Sequence, residues 1–219
     1  MLPLTFGAGR PPGEPLRVLC LGAHSDDIEI GCAGALLRWL AEVPGLEVTW
    51  VVLSASGARA EEARRSAQAL LAGAAGHEII LGDFRDAHFP AEFERLKAFF
   101  QDLGRRLQPD LVLTHRLEDR HQDHRQVAEL TWQTWRSQLV LEYEIPKYEG
   151  DLGQPNLYLP LPAEIAERKV QHLLAHFGSQ RSKDWFRAET FRALMALRGI
   201  ECRAESGFAE ALHLRKAVL

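Results

Sequence analysis

The sequence predicts an α/β protein, with helices layered on both faces of a mostly parallel sheet. Three observations predict it. Short apolar runs rich in Val and Leu alternate with helix-length segments along most of the chain. The runs are continuously apolar rather than alternating, as strands buried on both faces should be. The 219 residues, 46% hydrophobic and 26% charged, can bury a core without disulfide or structural-metal staples.

Each element has its own local reason. Residues 1–15 hold three Gly or Pro clusters and read as a flexible N-terminal arm, leaving 16–219 as one domain. Leu16–Leu21 is a buried strand. Residues 32–43 repeat apolar positions at three and four, a helix stopped by Pro44-Gly45. Val48–Leu53 is the second strand, 59–72 an Ala-, Glu- and Arg-rich helix, and His77–Leu81 the third strand. Residues 91–107 are amphipathic and closed by Pro109; Asp110–Thr114 is the fourth strand. A helix over 122–136 leads to the fifth strand, Leu139–Tyr143. Residues 146–162, with four prolines and two glycines, form a long loop whose length points to function. Helices near 163–176 and 183–198 follow, then a closing strand within 207–215.

Composition excludes several roles. The formal charge of −4 gives no broad field for a nucleic-acid backbone. No window approaches eighteen uncharged apolar residues, so no membrane span is expected. The first twenty residues lack a charged n-region before an apolar h-region, so a signal peptide is not expected either. Cys20, Cys32 and Cys202 are odd in number and lack metal-ribbon spacing, which fits a reducing cytoplasm.

Two clusters carry chemistry. His24-Ser25-Asp26-Asp27 follows the first strand, and His115 to His124 (HRLEDRHQDH) follows the fourth. Both emerge at the carboxyl edge of a parallel sheet, where ligand sites form. His24 and Asp27 are three apart across a turn, and His121 and His124 are three apart at a helix start, so each pair can face one ion. Imidazole with carboxylate suits zinc, and iron or cobalt less selectively. Two His and one Asp leave a coordination position open, as catalytic zinc sites do.

AHSDDIEIGCAG resembles the AHPDDxExGxGG signature of the LmbE/PIG-L family of zinc-dependent N-deacetylases, and HQDH resembles its HPDH signature. Ser56-Gly57 with Arg59 and Glu62, Asp86 in LGDFRDAHFP, and SGFAEALHLRK resemble further family segments in the family's order, from about 16 to 215. The resemblance implies a Rossmann-like three-layer sandwich and hydrolysis of an N-acetyl group from an amino sugar or sugar conjugate, giving acetate and a free amine. It assigns His24, Asp27 and His124 as Zn2+ ligands, Asp26 as general base, and His121 as the electrostatic or acid partner. It places Arg59 and Asp86 near substrate and makes a homo-oligomer the expected assembly. Asp123 can orient a ligand histidine through its second ring nitrogen. Ser25 stands where the family has Pro, and Ala33 where it often has Gly; neither removes a ligand or the base.

Plainer readings stand beside these. Asp26 or Asp27 could cap the following helix. Glu29 could serve the helix dipole, Asp119 could cap the helix carrying His121, and His115 reads as packing or as a support behind the ligands. Arg59 could pair with Glu62 on a solvated face. His77, His88, His172 and His176 read as fillers, and His213 as an outside candidate for the site. Trp185 and Phe186 are candidates for stacking on a sugar, and the Trp132/Trp135 face for an oligomer contact. Rival functions are another metal-dependent hydrolase on the same scaffold, or a sugar- or nucleotide-binding module. The latter lacks GxGxxG and puts two carboxylates where a pyrophosphate would sit.

Overall fold

The structure, a computed structural model, describes residues 13–218; most of the expected arm lies outside them. Seven strands form one sheet in the order β3-β2-β1-β4-β5-β7-β6. β1 (Leu16–His24), β2 (Leu46–Ser54), β3 (Gly76–Leu81), β4 (Leu111–Thr114) and β5 (Leu139–Tyr143) are parallel. β7 (Ala209–Leu214) and β6 (Leu157–Pro160) complete the sheet antiparallel. The helices are α1 (Asp27–Glu42), α2 (Gly57–Leu70), α3 (Phe93–Arg106), α4 (Gln122–Thr134), α5 (Ala163–His176) and α6 (Ala188–Cys202).

β1 shows why the strands are continuously apolar. Val18 and Cys20 enter one core with α1, α2, α5 and α6, while Leu19 and Leu21 enter another with α3 and α4. A two-residue period with both faces covered leaves no solvated face over Val18–Leu21, so that stretch is apolar throughout. β1 leads to α1 on one face, and its neighbour β4 leads to α4 on the other. The chain diverges there, so a crevice opens beyond the carboxyl ends of β1 and β4.

Four expectations are corrected. The first helix starts at Asp27, not at residue 32. It runs one turn, breaks at Cys32 (φ −149°), and resumes. The loose ends of that break are satisfied from outside. Glu210 of β7 accepts from Gly34 N (2.8 Å) and Ala35 N (2.6 Å), while Lys169 of α5 donates to Ile30 O (2.6 Å) and to Glu210 (2.5 Å). Sequence periodicity cannot see partners about 140–180 residues away.

The 146–162 loop contains β6, which among the described residues pairs only with β7, at the sheet edge. Proline is tolerated on an edge because an outward position needs no N–H donor. The helix expected over 183–198 instead runs Ala188–Cys202, and residues 183–187 form the turn before it. Finally, Trp135 is 2% exposed and packs on Phe100, while Trp132 donates to Glu142 (2.7 Å). Trp135 is therefore held within the chain and offers no surface to a partner.

Candidate metal centre

The crevice holds both His–Asp clusters. β1 ends at His24, and α1 begins at Asp27, so its first turn fixes Asp26 and Asp27 side by side. Asp26 occupies the N-cap position, yet its carboxylate makes no capping bond. On the other side His121 caps α4: its Nδ1 accepts from Asp123 N (3.3 Å), and His124 lies one turn further in.

Three donor atoms converge. His24 Nδ1 is 3.1 Å from His124 Nε2 and 3.4 Å from Asp27 Oδ2, and Asp27 Oδ2 is 3.5 Å from His124 Nε2. A tetrahedral ion bound at about 2.0–2.1 Å keeps its ligand atoms about 3.3 Å apart, so this triangle fits one divalent ion. Among the described residues, further metal-compatible groupings are His24/His121/His124, Asp27/His115/His124 and His24/Asp86/Asp123. All overlap this one.

The remaining ring nitrogens are tied down. His24 Nε2 faces Asp123 Oδ2 (3.2 Å) and Asp86 Oδ1 (3.1 Å), and His124 Nδ1 faces Asp119 Oδ2 (3.0 Å). Carboxylates on those nitrogens favour the tautomers that turn His24 Nδ1 and His124 Nε2 inward as lone pairs. Asp123 also accepts from Ala87 N (2.7 Å) and Phe89 N (3.1 Å), holding Ala87 at φ 65° and so placing its neighbour Asp86. Asp119 caps nothing by itself; it accepts from His121 N (2.8 Å). His115 stands behind Asp27, its Nε2 3.1 Å from Oδ2, and meets the hydroxyl of Tyr143 at 3.2 Å.

Charges follow from burial and these neighbours. Burial opposes ionisation of Asp27, but His124, His115 and His24 outweigh it and hold its pKa well below the ordinary value. Burial and then His115 push His124 down to about 3, keeping the ring neutral and fit to ligate. Burial also lowers His24, yet Asp27, Asp123 and Asp86 more than offset this and raise it. Asp26 is raised, first by burial and then by Asp27, despite Arg59. His121 is lowered, first by burial and then by His24.

The centre floors a cavity of about 300 Å³ lined also by Arg59, Asp86, Lys147, Tyr148, Lys183 and Trp185. Arg59 donates to Asp86 (3.0 Å) and Asp26 (3.3 Å) rather than to Glu62, which accepts instead from Ser179. The residues the resemblance assigns as ligands, base, acid partner and substrate contacts, and Asp123 behind them, thus all lie in or against this crevice. A larger groove of about 440 Å³ lies at the opposite sheet edge, but its Arg17–Glu47 and Arg106–Glu78 pairs leave no convergent chemistry there.

Other candidates fall outside. Phe186 is 2% exposed in the core, so only Trp185 of that pair lines the cavity. His213 lines a separate cleft with Arg116 and Arg215. Glu29 is fully buried, accepts from Ser66 and is pushed by burial up to about 8, so it is neither a solvated dipole charge nor a cavity residue. His172 is no mere filler; its Nε2 meets Ser66 Oγ at 2.8 Å. Sequence reasoning missed Lys147 and Tyr143. A lone lysine in a Pro- and Gly-rich stretch carries no periodic signal, and Tyr143 reads as one more strand residue.

A doubly wound sheet that gathers imidazoles and carboxylates at its switch point defines an α/β protein with the donors to hold a metal ion. The chain belongs to the PIG-L family: the family described as GlcNAc-PI de-N-acetylase matches residues 19–135, which span both clusters. It is 30% identical over 142 residues to the uncharacterised deacetylase YaiS of Escherichia coli (strain K12), covering 59% of this chain and 74% of YaiS. Among solved structures it is similar to N,N'-diacetylchitobiose deacetylase from Pyrococcus horikoshii (TM-score 0.67, 18% identity, 96% of this chain and 87% of that one). It is also similar to GalB, the 4-carboxy-2-hydroxymuconate hydratase from Pseudomonas putida KT2440 (TM-score 0.73, 20% identity, 93% and 98%). Identities this low speak for the shared fold. Among the described residues no helix is long and apolar enough to cross a membrane.

Proposed function

We propose that this protein is a metal-dependent hydrolase that removes an N-acetyl group from an amino sugar or sugar conjugate, releasing acetate and a free amine. The observation that carries this reading is the His24–Asp27–His124 triangle with the buried carboxylate of Asp26, paired with Arg59, beside it. Membership in a family of deacetylases supports it.

His24, Asp27 and His124 would hold the ion, with Zn2+ the best match to the donor set and Fe2+ or Co2+ alternatives. Such an ion polarises a carbonyl and makes water a competent nucleophile near pH 7. Asp26 takes the proton of the attacking water and returns it to the departing amine; its raised pKa makes both transfers easier. His121, kept neutral by burial and His24, donates a hydrogen bond to the oxygen that gains negative charge. Arg59 and Asp86, paired at the rim, offer donors and acceptors to sugar hydroxyls, and Trp185 offers a ring to a sugar face. One domain over 16–219, a cytoplasmic location and a homo-oligomeric assembly complete the proposal. The free cysteines support the location, and the family resemblance supports the assembly.

The test is amine release from a panel of N-acetylated sugars and sugar conjugates, with zinc added and after chelation. Amine release that chelation abolishes is the expected result; full activity in stripped protein would refute the metal role. The hydratase neighbour keeps a second reading in view, lyase chemistry on the same scaffold. It predicts no amine from any member of the panel.

A further inference from the structure

We propose that Lys147 is a positioning residue for His124, acting through Asp119, so that the segment 145–151 is part of the metal centre's support. The inference rests on the reading of His124 as a ligand.

The geometry runs inward from the lysine. Lys147 Nζ donates to Asp119 Oδ2 (3.0 Å) and Asp151 Oδ1 (2.7 Å), and lies 3.5 Å from Ile145 O. Its side chain is 8% exposed, and those of Asp119 and Asp151 are 4% and 5%. One buried ammonium is thus shared by two buried carboxylates. The same Asp119 Oδ2 that it touches accepts from His124 Nδ1, while Oδ1 accepts from His121 N. Asp119 therefore faces both histidines of the second cluster, and Lys147 is the cation that makes its full charge tolerable in the interior.

The far end of the strap is equally fixed. Asp151 Oδ2 accepts from Arg120 N (2.6 Å), and Asp151 O accepts from Arg116 Nη1 (2.7 Å). Without the ammonium, two carboxylates with little access to water repel each other across the space it fills. Asp119 then relieves the strain by turning away. That loses the fixed acceptor on Nδ1, and His124 no longer presents Nε2 to the ion as its settled tautomer. Ile145, Tyr148 and Glu149 of this segment line the cavity, so the wall that meets substrate and the ligand beneath it share one anchor.

The experiment is a Zn2+ titration of stripped protein against a competing chelator, for wild type, Lys147→Met, Lys147→Gln and Lys147→Arg. Proton-coupled 15N spectra of the His124 ring are recorded alongside, and thermal melts establish which variants fold. Lys147→Met should weaken zinc binding by about 10–100-fold, the usual effect of removing an outer partner of a ligand. Lys147→Gln should behave alike if Met proves too disruptive, and Lys147→Arg should restore most of the affinity because it keeps the charge. The neutral variants should show a mixture of His124 tautomers where wild type shows the Nδ1–H form alone. A folded neutral variant with wild-type zinc affinity and a single tautomer would overturn the inference while leaving the metal reading intact. Wild-type protein that binds no zinc, iron or cobalt would overturn both.

Discussion

The break in α1 offers the sharpest test of how the centre is held. Glu210→Gln changes one oxygen to an amide nitrogen without changing shape. In wild type the carboxylate accepts from Gly34 N, Ala35 N and Lys169 Nζ, with Glu210 and Lys169 4% and 3% exposed. The substitution leaves Lys169 a buried cation without its counter-charge, a loss of about 3–5 kcal/mol. It also turns an N–H donor toward Gly34 or Ala35, a loss of about 1–3 kcal/mol that overlaps the first. We expect about 3–5 kcal/mol in all. For a chain of this length that lowers Tm by about 6–20 °C, at about 2–4 °C per kcal/mol. Urea denaturation of metal-free protein is the assay, because bound metal would add its own stabilisation. Lys169→Met should cost a similar amount, and the double variant clearly less than the sum. A loss under about 1 kcal/mol for Glu210→Gln, or strict additivity of the pair, would refute the idea that this ion pair staples the broken helix.

Other expectations follow from the same geometry. Asp26→Asn should keep metal affinity and lose about 10²–10⁴ in turnover, read by parallel zinc titration and amine-release assays, whereas His24→Ala and His124→Ala should lose metal and activity together. Gly31→Ala would put a methyl 2.2 Å from Tyr143 Cδ2. It should lower stability by about 1–3 kcal/mol or more in denaturant titrations, since Tyr143 has no free space to yield. His172 is pushed down to about 4, first by burial and then by His176, so in the folded state it is neutral where the unfolded chain is protonated. The unfolded state then binds more protons, and this contribution to stability is lost as pH falls from about 6.5 toward 4. The difference in urea midpoint between wild type and His172→Gln should shrink over that range; a difference independent of pH would count against it.

How much of this was legible in the sequence depends on the range of the forces involved. Continuous apolar runs such as Val48–Leu53 announce a strand buried on both faces, because burial is recorded residue by residue. The two His–Asp clusters were legible because each packs its candidate donors within four residues and follows a strand. What failed was everything settled at a distance. Residues 27–31 look like an acidic, Gly-ended loop until a carboxylate at 210 and an ammonium at 169 satisfy the interrupted helix. β6 looks like a Pro-rich loop until β7 pairs with it. Lys147 gives no sign of its place between Asp119 and Asp151. Arg59 had a sensible local partner in Glu62, but tertiary contacts gave it Asp26 and Asp86 instead.

The helix break also bears on when the centre can mature. His24, Asp27 and His124 are all made early, and the stretch matched to the family ends at residue 135. Yet the break that follows the turn bearing Asp27 is closed by Lys169, which holds Ile30 O, and by Glu210 on β7, the last strand in the chain, which holds Gly34 N and Ala35 N. A nascent chain emerges from its N-terminus and folds as its pieces appear. It would therefore carry all three proposed ligands for about ninety residues of synthesis before the staple behind the Asp27 turn is complete. On the proposed reading metal capture becomes a late event, and a chain interrupted before β7 would carry the proposed ligands without that staple.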